Sequence, residues 1–223
     1  MKSKILSLNV SRPQTVEWDG KSIETSMFKK PVDALDVSLT SISGDSFANP
    51  KHHGIPDAVL YAYGVNALRD YASHLERPPL KFGELGENLT LDHLDEFEVS
   101  VGDVFKIGDV FAQATFPRIP CAKINSCLQD SRGQKAMIDV KRSGIYFRIL
   151  VPGRITLEST FARVERAKVS FTIGEVYERM VGVVKVSSGD LARVVANGAF
   201  PEARITRWLS RPPTPVSNNE TPN

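Results

Sequence analysis

One of the two cysteines, near the middle of the chain, follows a segment with two prolines and has a cation on either side in the sequence. Pro117 and Pro120 fix their own φ angles and bias the residues before them toward extended geometry, so they should hold Cys121 in a definite direction. Arg118 and Lys123 bring positive charge, which favours the thiolate form that attacks electrophiles and binds metals. The pattern predicts a reactive or metal-binding thiol at Cys121. A buried, inert thiol is the alternative that this segment alone leaves open.

The remaining cysteine and a pair of histidines give weaker signals. Cys121 and Cys127 do not have the C-x-x-C spacing of redox and zinc motifs, and two cysteines are too few for a disulfide framework in 223 residues, so Cys127 is predicted to be structural. The adjacent His52 and His53 lie in a predicted loop and should point apart, which makes them a poor metal pair. For His53, a solvated side chain and a role in a pocket are both open.

A loop with two glycines precedes a short predicted strand. Gly83 and Gly86 would let backbone N–H groups approach an anion such as phosphate, and Glu87 and Asn88 follow directly. The loop lacks the G-x-x-x-x-G-K-[ST] pattern, so it is not a P-loop. An ordinary turn leading into the strand is the alternative explanation for both glycines.

An arginine interrupts the apolar run Ile145–Val151, which predicts a buried strand. A charge that faces a core is costly unless it is paired. Arg148 therefore either points outward or reaches an anion in a cleft.

The composition limits the classes of function. The chain has 28 Lys and Arg against 26 Asp and Glu, a net charge of +2, and no long basic run, so a nucleic acid partner is disfavoured. Its apolar runs are far shorter than the roughly 20 residues of a membrane span. The apolar stretch near the N-terminus is too short for a signal-peptide core and lacks a cleavage pattern. We therefore expect a cytoplasmic protein without a membrane partner.

The predicted elements favour a mainly β chain with some α-helix. Alternating or apolar runs bounded by turn residues predict most of the strands, including a hairpin at Asp19-Gly20. Helical spacing predicts a first helix over Leu60–Leu75 and loosely helical structure over 123–141. Three short helices are predicted after Ala167, over 172–181, 187–196 and 201–210. The predicted domains are a β unit at 1–166, a helical unit at 167–211 and a disordered tail at 212–223.

Several short motifs, taken together and in this order, resemble the MOSC domain of molybdenum-cofactor sulfurases and amidoxime-reducing components. The likeness is to the bacterial YiiM-like form, which has a C-terminal three-helix domain. The motifs are His53-Gly54 with Pro56-Asp57, Phe82 to Thr90 with Gly-Glu-Asn at its centre, Gly102-Asp103, Pro117-Arg118-x-Pro120-Cys121-x-Lys123, and Gly144-x-Tyr146-x-Arg148. The Gly-Glu-Asn and Pro-Arg-x-Pro-Cys pieces are specific only in combination.

The resemblance implies a MOSC-type β-barrel domain followed by a small three-helix domain. It implies a molybdenum cofactor (molybdopterin), with Cys121 as the protein ligand to the metal, and thiolate is a soft ligand suited to this role. It also implies reduction of N-hydroxylated compounds, such as hydroxylaminopurines and amidoximes, with electrons from a separate flavin or iron-sulfur protein. The oligomeric state is open, a homodimer included.

The resemblance further suggests roles for individual residues. Arg118 and Lys123 would keep the cysteine sulfur ionised and meet the cofactor's phosphate, and Arg148 would contact the same anion. His53 and Asp57 would lie at the rim, where either could move a proton during N–O cleavage. The other predicted cofactor contacts, which would bind the pterin or hold the pocket wall, are Gly86, Glu87 and Asn88.

Two other functions are compatible with the sequence. Cys121 could carry a persulfide, or the domain could hold and deliver cofactor without turning over a substrate. The chain could also be a plain β-barrel binding module with a helical tail.

Overall fold

The structure is a computed structural model that describes residues 1–46, 48, 55–169 and 171–201. The strands in this part of the chain are β1 Lys2–Val10, β2 Gln14–Trp18, β3 Lys21–Thr25, β4 Lys30–Val32, β5 Ala34–Val37, β6 Leu60–Gly64, β7 Leu89–Leu91, β8 Val104–Ile107, β9 Val110–Pro117, β10 Ile145–Val151, β11 Gly153–Thr156 and β12 Thr160–Glu165. The α-helices are α1 Val65–His74, α2 Lys123–Leu128, α3 Gly133–Asp139, α4 Ile173–Met180 and α5 Ser188–Asn197. A 3₁₀ turn covers Pro56–Ala58.

Seven of these strands close into a barrel. Their order around the ring is β12, β8, β9, β10, β6, β7 and β1, and β1 pairs again with β12 through the register Lys2 to Ala162. β4 pairs with the C-terminal end of β1 and lies outside the ring. Two separate two-stranded sheets are formed by β2 with β3 and by β5 with β11. All ring pairs are antiparallel except β6 with β7, whose parallel connection runs through α1. The predicted mainly β barrel is therefore confirmed.

Alternation of side chains along the strands gives the barrel an inside and an outside. On β10, Ile145, Phe147 and Ile149 are buried in a large apolar cluster with residues of the other ring strands, so they face the interior. Tyr146 and Arg148 are only half-buried and face outward. Helices α1, α2 and α3 cover part of the outside, where they form a second apolar cluster with tyrosines of β6.

The helix predicted over Leu60–Leu75 is wrong in its first third. Leu60–Gly64 is strand β6, all of it buried, and the helix begins only at Val65. Helical spacing cannot distinguish a fully buried strand from a helix when both faces of the strand are apolar. The correction matters because β6 carries Tyr61, which lies in the candidate site.

The first two C-terminal helices are confirmed. Thr172 and Ser187 cap α4 and α5 with reciprocal capping boxes, in which Glu175 and Asp190 supply the carboxylates. Both helices bury apolar residues in the same cluster as the barrel interior. The predicted third helix and the tail lie outside the described residues, so the three-helix unit and the domain boundaries stay predictions. No helix in the described ranges has the length and apolarity to cross a membrane.

Candidate functional site

Cys121 lies just past the end of a barrel strand, as the sequence predicts. β9 ends at Pro117, and the Cys121 carbonyl accepts a hydrogen bond from Ile124 N (3.0 Å) at the beginning of α2. The Cys121 side chain is half-buried, whereas Cys127 is buried inside α2. Cys127 Sγ contacts Thr25 Oγ1 and Met27 Sδ, each at 3.5 Å, and burial raises its pKa. The two thiols therefore differ, because one is partly accessible and the other is packed.

Arg118 lies beside Cys121 and is buried, with 8% of the residue exposed. Its guanidinium donates hydrogen bonds to the Leu85 carbonyl and, at 3.1 Å, to Met27 Sδ, and it lies 5.5 Å from the ring centroid of Tyr61. Within the described ranges, Arg118 makes no ion pair with a carboxylate. Since arginine stays charged at any working pH, the site contains a buried positive charge with only neutral acceptors.

The wall beside Arg118 is aromatic. Tyr61 and Tyr146 stack with ring centroids 4.5 Å apart, and Phe116 lies 5.1 Å from Tyr146. A β-bulge in the pairing of β9 with β10 leaves Thr115 opposite this wall, where its hydroxyl lies 2.9 Å from the Tyr146 carbonyl and 2.7 Å from the Asp57 carbonyl. The bulge thus ties the 3₁₀ turn that carries Asp57 to the barrel strands.

Arg148 occupies the next outward position on β10 after Tyr146. Its Nη2 donates to Asp57 Oδ1 at 2.8 Å and to the Ala199 carbonyl at 2.6 Å. The side chains of Arg148 and Asp57 are 26% and 29% exposed, so the pair lies at a boundary with solvent. Arg148 Nε is buried without a hydrogen-bond partner. Arg148 therefore points outward, which is one of the two alternatives from the sequence. The anion that it contacts is the Asp57 carboxylate of the protein itself, and its Nε remains a buried donor without a partner.

A buried polar network lies behind Arg118. The Lys29 ammonium pairs with Asp45, and both side chains are almost fully buried. The Asn88 side chain accepts from Tyr61 N at 3.2 Å and donates to Asp45 Oδ2 at 2.9 Å and to the Asn9 carbonyl at 3.1 Å. Burial lowers the pKa of Lys29, although Asp45 opposes that shift. The Asn88 side chain thus makes three hydrogen bonds within the protein, and its predicted role, in binding the pterin or in holding the pocket wall, stays a prediction.

Glu87 is the least satisfied carboxylate of this network. Its Oε1 accepts hydrogen bonds from Gly83 N (2.7 Å) and Thr90 Oγ1 (3.0 Å), but Oε2 is buried without a partner. Burial raises the pKa of Glu87 to about 7, and the charge of Arg118 offsets this only in part. The side chain therefore carries a proton for part of the time near neutral pH.

The two loop glycines are used as turn residues. Gly83 N donates to Glu87, and Gly86 N donates to the Gly83 carbonyl at 3.0 Å. Both have positive φ, and a Cβ on Gly83 would lie 2.4 Å from the Lys29 carbonyl. The alternative of an ordinary turn therefore accounts for these glycines, and an anion contact through Gly86 or Glu87 stays a prediction.

Lys123 Nζ donates to the Glu24 carbonyl at 2.9 Å, which ties α2 to the β2–β3 hairpin.

The structure thus brings together Cys121 and Arg118 at one end of the outward face of β10, and Arg148 and Asp57 at the other, with Tyr146 between them. His53 lies outside the described residues. No set of three or more His, Cys, Asp or Glu side chains in the described ranges could hold a metal ion.

The sequence reasoning missed several members of the site, because they come from distant segments and carry no local motif. Only the Gly-x-Tyr-x-Arg pattern offered a signal, for Tyr146. The missed members are Met27, Lys29, Asp45, Tyr61, Leu85 and Thr115.

The chain forms a closed barrel with a half-buried cysteine just after the end of a strand and a buried arginine three residues before that cysteine. A comparison with protein-family models identifies the class of protein. The family model described as MOSC domain matches residues 49–161, about half of the chain. The chain belongs to the MOSC domain family.

Particular relatives and a solved structure agree with this assignment. The uncharacterized protein YflK of Bacillus subtilis is 37% identical over 157 residues, which cover 68% of this chain and 69% of YflK. A protein of Gibberella moniliformis described as "Reductase" is 31% identical over 179 residues, which cover 78% of this chain but 31% of that protein. The crystal structure of YiiM from Geobacillus stearothermophilus matches 93% of this chain and 100% of its own, with a TM-score of 0.75 at 24% identity. The resemblance to the YiiM-like form is confirmed.

Proposed function

We propose that this protein binds a molybdenum cofactor through Cys121 and reduces N-hydroxylated small molecules, such as hydroxylaminopurines and amidoximes, with electrons from a separate protein. One observation carries the proposal: a half-buried thiol lies three residues along the chain from a buried guanidinium that has no carboxylate partner among the described residues. A buried charge of this kind is costly unless an anion completes its environment. The similar protein described as a reductase supports the reaction class.

The residues fit such a cofactor in three respects. Cys121 would supply the soft sulfur ligand to the metal, which is the one ligand that the protein has to provide for a dithiolene-bound molybdenum. Arg118 would bind the cofactor's anionic groups, and the buried Nε of Arg148 is a second donor. Glu87 Oε2, a buried acceptor without a partner, could receive an N–H group of the pterin.

The overall reaction converts R–NHOH, two electrons and two protons into R–NH₂ and water. When bound, the cofactor supplies the two-electron chemistry that breaks the N–O bond. The aromatic wall of Tyr61 and Tyr146 would shield one side of the site from water and give a flat surface for a planar substrate. Asp57 keeps its predicted role of moving a proton at the rim as a proposal, and Arg148 holds its carboxylate in place at 2.8 Å. His53 and Lys123 keep their predicted roles as proposals, as does a cytoplasmic location.

The test uses both cysteines, because they provide a matched pair. Protein made in a molybdenum-replete host is assayed for reduction of benzamidoxime and 6-hydroxylaminopurine with dithionite-reduced dye. Cys121→Ala should abolish turnover, whereas Cys127→Ala should retain most of it, since Cys127 is packed inside α2. Turnover by Cys121→Ala at the wild-type rate would refute the proposal.

Sulfur delivery is the competing function, and the same samples distinguish it. Cys121 is half-buried, and the positive charge of Arg118 would also stabilise a persulfide anion formed on its sulfur. A cyanolysable sulfane sulfur on Cys121, in wild-type protein that contains no molybdenum and reduces neither substrate, would favour the carrier.

A further inference from the structure

An open depression of about 620 Å³ lies on the surface next to the candidate site. Two chain segments form it, one at 28–31, which runs into strand β4, and the other at 80–84. Its floor and walls are mostly apolar, with contributions from Phe28, Pro31, Leu80 and Phe82. Phe82 is 37% exposed and lines the depression, so it presents an apolar ring at this surface.

The depression carries an uncompensated positive charge. Lys30 and Lys81 are exposed at its edge, and neither makes an ion pair within the described part of the chain. The other charged residues that line it are already paired, Lys29 with Asp45 and Glu84 with Arg77. An apolar centre with a charged rim is the arrangement found at small, transient protein interfaces.

The two segments of the depression also form the back of the candidate site. Lys29 N donates to the Gly83 carbonyl at 3.1 Å, so the two segments are joined by a backbone hydrogen bond. Met27 and Leu85, which adjoin these segments in the chain, supply the acceptors for the Arg118 guanidinium. A molecule bound in the depression would therefore be separated from Arg118 by these two chain segments.

We infer that this depression is the docking surface for the electron donor, and that the donor is a small acidic electron-carrier protein. The inference rests on the proposed function. Acidic side chains of the carrier would pair with Lys30 and Lys81, and an apolar side chain would pack against Phe82. The carrier is oxidised as it delivers the two electrons that N–O cleavage consumes, and solvent supplies the two protons.

The test compares two electron sources for the same enzyme. One is a membrane-free extract of the source organism with NADPH, and the other is dithionite-reduced dye. The double variant Lys30→Glu/Lys81→Glu should lower the extract-driven rate about tenfold at low ionic strength, because rim charges act mainly on association. The dye-driven rate should not change. Added salt should slow extract-driven turnover of the wild type but not of the variant.

A matched control comes from the far end of strand β1. Lys2 is exposed and lies about 25 Å along the nine-residue strand from Val10, which pairs with Lys30. Lys2→Glu should leave both rates unchanged. Phe82→Ala should lower the extract-driven rate less than the double charge reversal does.

Several results would overturn the inference. An extract-driven rate of the double variant equal to that of Lys2→Glu would remove the docking surface. A higher KM for the N-hydroxylated substrate with dye, at an unchanged ratio of the two rates, would assign the depression to substrate. If the wild type turns over with dithionite-reduced dye but not with the extract and NADPH, the inference of a carrier protein fails. A wild type that is inactive with dye would refute the proposed function itself, and the docking inference with it.

Discussion

Two arginines frame the candidate site, and their surroundings differ in kind. Arg148 is a quarter exposed, pairs with Asp57 at 2.8 Å and also binds the Ala199 carbonyl. Arg118 is buried and contacts a carbonyl, a thioether sulfur and the face of Tyr61. The charge of the first is neutralised within the protein. The charge of the second is not, at least by the described residues.

The difference is the reason why we propose Arg118, rather than Arg148, as the main contact for the cofactor's anionic groups. A buried cation contributes little to stability unless an anion lies next to it, so a fold that keeps one must use it. Arg148 instead joins β10, the 3₁₀ turn and the segment after α5, so we expect its role to be mainly structural, with only its Nε left for a cofactor contact. Variants of the two arginines, of Glu87 and of Lys123 test this division of roles.

Replacing each arginine by methionine should separate cofactor binding from structure. Hydrogen bonds to charged groups contribute about 1.5–3 kcal/mol, so Arg118→Met should weaken cofactor retention about 10- to 100-fold. Arg148→Met should weaken it less, because only its Nε lacks a protein partner. Pterin and molybdenum contents after gel filtration measure this. Equal losses of cofactor in the two variants would show that the two arginines do not differ in cofactor binding.

The pH dependence of stability should reveal Glu87. Burial raises its pKa from 4.5 to about 7, so between these values the folded protein binds a proton that the unfolded chain releases. The associated stability is fully present below pH 4.5 and is lost as the pH rises through 7, an effect of about 3 kcal/mol. Glu87→Gln should therefore gain stability relative to the wild type between pH 5 and pH 8. Urea unfolding at a series of pH values measures the difference.

The same measurement shows whether Glu87 neutralises the charge of Arg118. If Glu87 were a true ion partner of Arg118, its pKa would lie below 4.5, and the difference between variant and wild type would have the opposite sign. A difference that stays constant over the whole pH range would mean that Glu87 does not titrate there.

In cofactor-free protein the order of the arginine effects should reverse. Arg148→Met leaves the Asp57 carboxylate and the Ala199 carbonyl without their donor, which should cost about 1–2 kcal/mol of unfolding free energy. Arg118→Met should cost less, because it also removes a buried charge. Chemical denaturation of the two apo proteins tests the order, and a larger loss for Arg118→Met would contradict it.

Lys123 should give the smallest effect. Its ammonium binds the Glu24 carbonyl near solvent, so Lys123→Gln should change the unfolding free energy by less than about 0.5 kcal/mol. Cofactor content should fall less than about twofold, since this amine is already used. A loss comparable to that of Arg118→Met would restore Lys123 as a phosphate ligand.

Most strands and the cysteine segment were predictable because their signals are local, whereas closure into a barrel was implied only by the resemblance to the MOSC domain. Alternating strands, the Asp19-Gly20 hairpin and the prolines around Cys121 depend only on neighbouring residues. Strand β6 was not predictable, because a strand buried on both faces has no alternation. The partners of the two arginines were not predictable either. Asp57 lies 91 positions before Arg148, Met27 lies 91 positions before Arg118, and only the closed sheet brings such segments together.

The molybdenum content of purified protein decides whether Cys121 is the ligand to the metal. Wild-type protein from a molybdenum-replete host should contain about one molybdenum per chain, Cys127→Ala should contain the same amount, and Cys121→Ala should contain almost none. Equal molybdenum in Cys121→Ala and the wild type would contradict the assignment of this thiol as the ligand.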